Sequence, residues 1–346
     1  MKKIILPILP NKPLKKNSKT KEGYFLLKQY YKYGYVKNVL FRDNLIKYDK
    51  NYQNDQSNSL SFQKHMMHIY KIIKNNFPKN SNLVEVGCGK GAFLDIVKKD
   101  SYFNYKGFDA TYEGKDKNIN ARNLNTKDKI SADIIVLRHT LEHINSPLKF
   151  LNFLKKIFPK TSSIFIEVPQ FEWIIKNKVL FDFTYEHVNY FTSKSLCSLF
   201  SKTRLHGNVF NNQYQFCIAN INQLKNTDIK SYEKKKNWNE FNFSKNIKFF
   251  KKKIENLKYY NNIWIWGGST KGVIFLKHLS DLRPNLFKKI SGVIDINKKK
   301  QGLFTPSTKI KIYPPKKLFG SINKGDLILV MNPNYIFEIK KLIRSE

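Results

Sequence analysis

The sequence predicts an α/β protein built as two successive units, the second the smaller, and three observations carry that reading. Short β-branched runs alternate with helical stretches from Asn82 to Asn222. A glycine-rich turn joins the first of those runs to a helix, and a second alternation opens at the run NIWIWG. Strands separated by helices imply mainly parallel sheets, so both units are expected to be Rossmann-like.

In chain order, residues 1–60 are polar, rich in Asn, Lys and Tyr, and show little periodicity. They predict an irregular N-terminal arm that turns helical around Gln63 to Asn76. Residues 61–225 follow with the strand candidates LVEVG, YKGFD, ADIIVLR, SSIFIEVP and FCIANIN. Across residues 226–260, Trp238, Phe241, Ile247, Phe250, Ile254 and Leu257 recur at helical spacing, which predicts an amphipathic connector. Residues 261–346 supply the strands NIWIWG, SGVIDIN and DLILVMN, the helix TKGVIFLKHL and a closing helix near Tyr335 to Arg344.

Composition narrows the function classes. With 346 residues and 41% hydrophobic content the chain can bury two ordinary cores. The opening MKKIILPILP imitates a secretory signal, but two prolines interrupt its apolar run and Lys12 closes it, so none is expected. No apolar stretch nears the roughly 20 residues that span a bilayer, and a cytoplasmic enzyme is expected. Cys88, Cys197 and Cys217 form no C-x-x-C pair, which indicates neither a disulfide framework nor a cysteine zinc site. The net charge of +37 invites a phosphate-bearing partner. Lysine is nevertheless spread along the whole chain beside abundant Asn, Ile and Phe, as in AT-rich coding, and its runs at Lys234 to Lys236, Lys251 to Lys253 and Lys298 to Lys300 read as solvated faces. Nucleic acid is not an expected partner, because no nucleic-acid motif accompanies the charge.

The segment VEVGCGKGAF places Glu85, Gly87, Gly89 and Gly91 between an apolar strand and the helix AFLDIVKK. Glycine is needed where a chain turns with positive φ and where backbone must approach a ligand. The next strand ends in Asp109, where a carboxylate can accept hydrogen bonds from ribose hydroxyls. Two cofactors compete for this geometry. Gly87, Gly89 and Ala92 fit the dinucleotide variant that grips the pyrophosphate of NAD. Glu85 favours the other, since a carboxylate beside the turn repels phosphate and suits the ammonium and sulfonium of S-adenosyl-L-methionine. The E-x-G-x-G-x-G string resembles the first motif of the class I methyltransferases.

Three later segments extend the likeness: LRHTLEHINSPLKFL, FDFTYEHVNYFT, and the stretch from IWIWGGSTKGV through VIDINKKKQGLFTPSTKIKIYPPKKL to LILVMNPN. Over roughly residues 60–346 the chain resembles the sugar C-methyltransferases, which methylate a carbon of a nucleotide-linked keto-deoxysugar. The resemblance implies a Rossmann-like class I methyltransferase domain, then a smaller Rossmann-like α/β domain that binds the sugar nucleotide. It also exposes a departure. The family carries a cysteine-ligated zinc module before its core, and where a C-x-x-C-G would stand this chain reads YKYGYV, Tyr31 to Val36. A truncated, metal-free module is expected.

Forming a carbon–carbon bond with a sulfonium methyl requires a carbanion, reached by removing a proton beside a ketone; that needs a base and support for the enolate oxygen. His187, beside Glu186 and Tyr185 in the loop after the fifth strand, is the candidate base. The resemblance assigns that role to the histidine of a Glu-His pair, which Glu186 and His187 match. The family tyrosine stands two residues before the glutamate, whereas Tyr185 adjoins it. His143 is a candidate for the enolate oxygen. His139 and His143 lie four apart with Glu142 alongside, but HTLEH lacks metalloprotease spacing and has no third ligand near it in sequence, so no metal is expected. His65, His68, His206 and His278 show no constellation. In WGGSTKG, Gly268, Ser269, Thr270 and Lys271 would meet a diphosphate at a helix N-terminus, with Asp295 near the nucleoside. Transfer to oxygen or nitrogen of another small molecule or of RNA, and an NAD(P)-linked oxidoreductase of sugar nucleotides, stay open as alternatives.

Overall fold

The computed structural model describes residues 4–30, 35–225, 238–319 and 321–344. The N-terminal arm is not irregular. Strand β1 (Ile4–Pro7) pairs antiparallel with β2 (Glu22–Phe25), and β3 (Leu27–Tyr30) pairs antiparallel with β4 (Tyr35–Asn38). The second hairpin gains a strand on each side from far along the chain, β10 (Asn189–Tyr190) against β4 and β13 (Trp238–Glu240) against β3. Four-residue strands whose partners lie this distant leave no local period to read. Within YKYGYV, residues 31–34 lie outside the described residues, while Tyr35 and Val36 are buried in β4.

Helix α1 (Leu60–Lys74) starts slightly earlier than its apolar period predicts. Ser59 caps it, its hydroxyl accepting the Phe62 N–H at 3.3 Å, and Glu338 from the far end of the chain accepts the Ser59 hydroxyl at 2.7 Å and the Leu60 and Ser61 N–H groups at 3.1 Å each. A carboxylate there complements the helix dipole and ties the last helix to the first.

The main sheet has seven strands. β5 (Asn82–Val86), β6 (Asn104–Phe108), β7 (Ile119–Asn120), β8 (Ile134–Arg138) and β9 (Ser163–Pro169) are parallel. β12 (Tyr214–Asn220) runs antiparallel to β9, and β11 (Leu205–Val209) antiparallel to β12. The spatial order is β11-β12-β9-β8-β5-β6-β7. β8 and β9 are buried almost throughout, which is why they read as continuous apolar runs. Alternate residues serve two cores: Leu83, Ile134 and Val136 pack towards α1 and α2 (Ala92–Asp100), whereas Val84, Ile135 and Leu137 pack towards α3 (Pro147–Ile157). Each such side chain contributes ~1.5–3 kcal/mol when fully buried. Strand order reverses between β5 and β8, and such reversals open a crevice at the carboxyl ends of the strands.

The connector differs from its sequence reading. Residues 226–237, with Lys234 to Lys236, lie outside the described residues; Trp238 belongs to a strand, not a helix, because β13 satisfies the free edge of β3. The helix itself, α4 (Ser244–Ile254), buries Phe250 and Ile254. The last sheet is wholly parallel, in the order β16-β15-β14-β17, from β14 (Ile263–Trp266), β15 (Ile290–Ile294), β16 (Ile312–Tyr313) and β17 (Leu327–Val330). Helix α5 (Thr270–Leu282) follows β14, and α6 (Ile336–Arg344) ends the described chain. One core joins Leu6, Phe25 and Val36 of the N-terminal hairpins to Ile265, Ile274 and Leu279 of this unit. The arm is therefore built into the protein. No described helix is long and apolar enough to cross a membrane.

Candidate active site

The turn after β5 holds Gly87, Gly89 and Gly91 at φ of 81°, 56° and 85°. All three are left-handed, which is why glycine stands at each. A Cβ on Gly87 would strike the Thr140 side chain and one on Gly91 would meet Ile119, but one on Gly89 would enter open space. That space is part of a cavity of about 510 Å³ at the carboxyl edge of the main sheet, which reaches across to the turn after β14. Glu85 lines it, buried, with Oε2 lacking any partner among the described residues. Burial pushes its carboxyl up to about 8, with Asp109 and Glu167 adding to the effect and Arg138 opposing it. An orphaned carboxylate of that kind suits a ligand cation. Asp109 also lines the cavity; its Oδ2 accepts the Gly89 N–H at 2.8 Å and its Oδ1 accepts the Thr111 N–H and hydroxyl at 2.6 Å each. Oδ2 thus keeps one acceptor direction for a ribose hydroxyl.

On the opposite wall, Glu186 is 1% exposed and accepts the Tyr52 hydroxyl at 2.7 Å, with Asn11 Nδ2 and Thr270 Oγ1 each 3.4 Å away. Burial raises its carboxyl; His143 and the Tyr52 and Thr270 hydrogen bonds oppose that, and Glu142 adds to it. His143 Nδ1 lies 3.0 Å from the Glu186 carbonyl and 3.1 Å from the Tyr48 hydroxyl. A carbonyl only accepts, so Nδ1 carries the proton and Nε2 is left for other chemistry. The His187 ring meets that of His143 edge-on at 4.8 Å. Burial, then His143, His139 and Lys271, hold His187 well below the ordinary histidine range, so it is neutral near pH 7.

Tyr185 does not join this group. It is fully buried on the far side of the loop, where its hydroxyl accepts the Arg42 N–H at 3.0 Å and its ring packs on Phe41 and Gly23. The two residues sit in a turn, and with Glu186 directed into the cavity Tyr185 is directed away from it. The phenols at the cavity are Tyr48 and Tyr52, from the arm. Burial raises both well above the ordinary tyrosine range, and the charge of Glu186 adds to it, so both remain donors. Sequence reading missed them and Asn11, because an aperiodic polar arm gives no signal for where its side chains fold back.

The turn after β14 is largely engaged by the chain itself. The Gly268 N–H donates to Asp295 Oδ2 at 2.9 Å, the Thr270 N–H to Asn11 Oδ1 at 3.1 Å, and Lys271 pairs with Asp182. Lys300, 1% exposed, donates to the Ser269 hydroxyl. A Cβ on Gly272 would overlap the Gly267 carbonyl oxygen, which is backbone and cannot yield. Gly272→Ala is expected to cost ~1–3 kcal/mol of stability, measured by chemical denaturation; an unchanged midpoint would contradict this packing.

Around His139 and His143 the third partner missing from the sequence neighbourhood is present in space. His65 and Glu167 approach His139, while Glu142, His143 and His187 offer ligating atoms within 4.8 Å of one another. In the first set Glu167 is already engaged, accepting from His65 Nε2 at 2.5 Å and Arg138 Nε at 2.8 Å.

Residues 62–205 match the family model of a methyltransferase domain, and residues 219–344 match that of the C-methyltransferase C-terminal domain. No curated protein matches the chain. Among solved structures, a protein of Pyrococcus horikoshii is similar at 15% identity, covering 48% of this chain and 93% of its own, with a TM-score of 0.37. A SAM-dependent methyltransferase of Archaeoglobus fulgidus is similar at 18% identity, covering 44% and 91%, with a TM-score of 0.34. The cofactor is S-adenosylmethionine rather than NAD. The chain belongs to the class I S-adenosylmethionine-dependent methyltransferases that carry the C-methyltransferase C-terminal domain.

Proposed function

We propose that this enzyme methylates a carbon next to the ketone of a nucleotide-linked keto-deoxysugar, with His187 as the base that forms the enolate. The observation that carries the reading is the single cavity that holds Glu85, Gly89 and Asp109 at one end, Thr270, Lys271 and Asp295 at the other, and His143, Glu186 and His187 between them. Residues 61–225 would thus bind the cofactor, and residues 261–346 the sugar nucleotide in the cytoplasm. S-adenosylmethionine, when bound, supplies an electrophilic methyl group on its sulfonium.

The chain's own residues supply the rest. Neutral His187 takes the proton from the carbon beside the ketone; the C–H electron pair becomes the enolate double bond and the ketone oxygen takes the charge. His143, its Nδ1–H fixed on the Glu186 carbonyl, supports that oxygen from Nε2 when protonated there. Glu186 holds Tyr52, Asn11 and Thr270 around the reacting carbon. Ser269 donates its hydroxyl to the sugar's diphosphate, and Lys271 exchanges Asp182 for a phosphate oxygen. Asn11, Tyr48 and Tyr52 of the arm wall the cavity beside Glu186 and His143.

Solvent exchange tests the reading. With S-adenosylhomocysteine in place of the methyl donor, the enzyme is expected to wash deuterium from heavy water into the position beside the ketone of a nucleotide-linked keto-sugar, followed by NMR. Turnover of such a sugar with no exchange under any condition would rule out a base-formed enolate.

A further inference from the structure

Two short segments meet at the wall of the cavity and are tied to each other by hydrogen bonds. The first carries Glu142 and His143 in a single 3-10 turn, Leu141–His143; the second is the loop that carries His187. The Val188 N–H donates to the Glu142 carbonyl at 2.8 Å, Asn189 Nδ2 to the Ile144 carbonyl at 2.6 Å, and His143 Nδ1 to the Glu186 carbonyl at 3.0 Å. From this pair of segments, one carboxylate oxygen of Glu142 and one ring nitrogen of each histidine lie within 4.8 Å of one another. Glu142 is 1% exposed, yet neither of its carboxylate oxygens has a hydrogen-bond partner among the described residues; His139 Nδ1 stands 3.5 Å from Oε1 without bonding it. A buried carboxylate left in that way carries its desolvation cost uncompensated. The methyl-transfer chemistry proposed above makes no use of it.

Two imidazoles and a carboxylate are a ligand set for zinc, with a fourth position left open towards the cavity. His143 has the support that a ligating histidine needs: its Nδ1–H is fixed on a backbone carbonyl, which sets the tautomer and leaves Nε2 to ligate. All three residues line the cavity, so an ion has a way in. Ligand atoms around a tetrahedral zinc ion stand about 3.4 Å apart, a contraction that rotation of the half-buried His187 ring can supply. The neighbouring cluster of His65, His139 and Glu167 is the poorer candidate, because Glu167 is already bonded to His65 and Arg138. We propose that Glu142, His143 and His187 bind one Zn²⁺ ion, and that filling this site silences the enzyme. The ion takes the ring nitrogens of both histidines, which are then closed to a substrate proton and to an enolate oxygen. The silencing rests on the enolate reading above; the binding does not.

Metal titrations of the full-length, chelator-treated protein test both halves, with Co²⁺ as the visible probe and Zn²⁺ as its competitor. Wild type is expected to take up one Co²⁺ per chain with the strong visible absorption of a four-coordinate site, to release it to Zn²⁺, and to ignore Mg²⁺, which prefers oxygen ligands. Glu142→Gln and His187→Gln are each expected to weaken Zn²⁺ binding by roughly 100-fold or more, the upper end of what even an outer-shell partner contributes. His139→Asn, which suits the left-handed backbone there at φ 50°, should bind as wild type does. No saturable uptake by wild type, undiminished binding in either ligand variant, or loss in His139→Asn alone would overturn the site. With S-adenosylhomocysteine bound, one equivalent of Zn²⁺ should stop solvent exchange into the keto-sugar, and a chelator should restore it. Exchange at full rate with Zn²⁺ bound would overturn the silencing. Zn²⁺ uptake by an enzyme that shows no exchange even when metal-free would uphold the site and contradict the enolate reading.

Discussion

His187→Ala is expected to lower methyl transfer by about 10²- to 10⁴-fold, the usual loss for a general base, and to abolish solvent exchange beside the ketone to the same degree. Affinity for S-adenosylhomocysteine should stay within about threefold of wild type, since the glycine turn and Asp109 are separate from the loop that carries His187. The pH profile adds a second readout. With its proton affinity depressed by burial and by the cations around it, His187 stays neutral as pH falls past 6.5, so the acid limb of kcat/KM belongs below that value. Wild-type turnover in the variant, or loss of cofactor binding in parallel with activity, would remove His187 from the proposed role.

Glu167→Ala should give the largest stability loss, about 3–5 kcal/mol by chemical denaturation, because it strips the counter-charge from a buried group. Glu167 is fully buried between Arg138 and His65, with His139 Nε2 3.7 Å away. Burial alone would raise its carboxyl; Arg138, His139 and His65 outweigh that and hold it well below the carboxylate range. A folded-state value depressed in this way gives stability that is present above the unfolded carboxylate range, near pH 4.3, and is lost as pH falls towards the folded value. His65 adds to the acid sensitivity: burial holds it below 6.5, so protonation of the unfolded chain begins to favour unfolding below about pH 6.5. The variant should therefore lose much of the acid dependence seen in wild type. A variant as stable as wild type at pH 7 would contradict the charge balance described here.

The parts of this molecule that were legible in its sequence are those whose physics is local. ADIIVLR and SSIFIEVP read as strands because β8 and β9 are buried on both faces, and the glycines of VEVGCGKGAF read as a ligand turn because their backbone must be left-handed. What depended on distant pairing was not legible. The hairpins of the arm are completed by Asn189–Tyr190 and Trp238–Glu240, so no window of sequence contains a whole sheet. The same holds for side chains. Asn11, Tyr48 and Tyr52 reach Glu186 and His143 only through the packing of the arm onto the rest of the chain, and Asp182 claims Lys271 from 89 residues away. Tyr185 misled for the opposite reason: although adjacent in sequence to Glu186, it leaves the turn in another direction and packs on Phe41.

The departure of the arm from the cysteine-bearing pattern has a physical counterpart. Leu6, Phe25, Leu27 and Val36 are almost wholly buried in a core shared with the C-terminal unit. Apolar packing of that kind anchors the arm, which carries Tyr48 and Tyr52, on the rest of the chain.

The most direct test of the account is the fate of a ¹³C-labelled methyl group. Incubated with S-[methyl-¹³C]adenosylmethionine and a panel of nucleotide-linked keto-deoxysugars, the enzyme should place the label on carbon, giving a methyl signal with one-bond coupling to a ring carbon when that position is also labelled. A label found on oxygen or nitrogen, or no transfer to any keto-sugar beside transfer to another substrate, would contradict it.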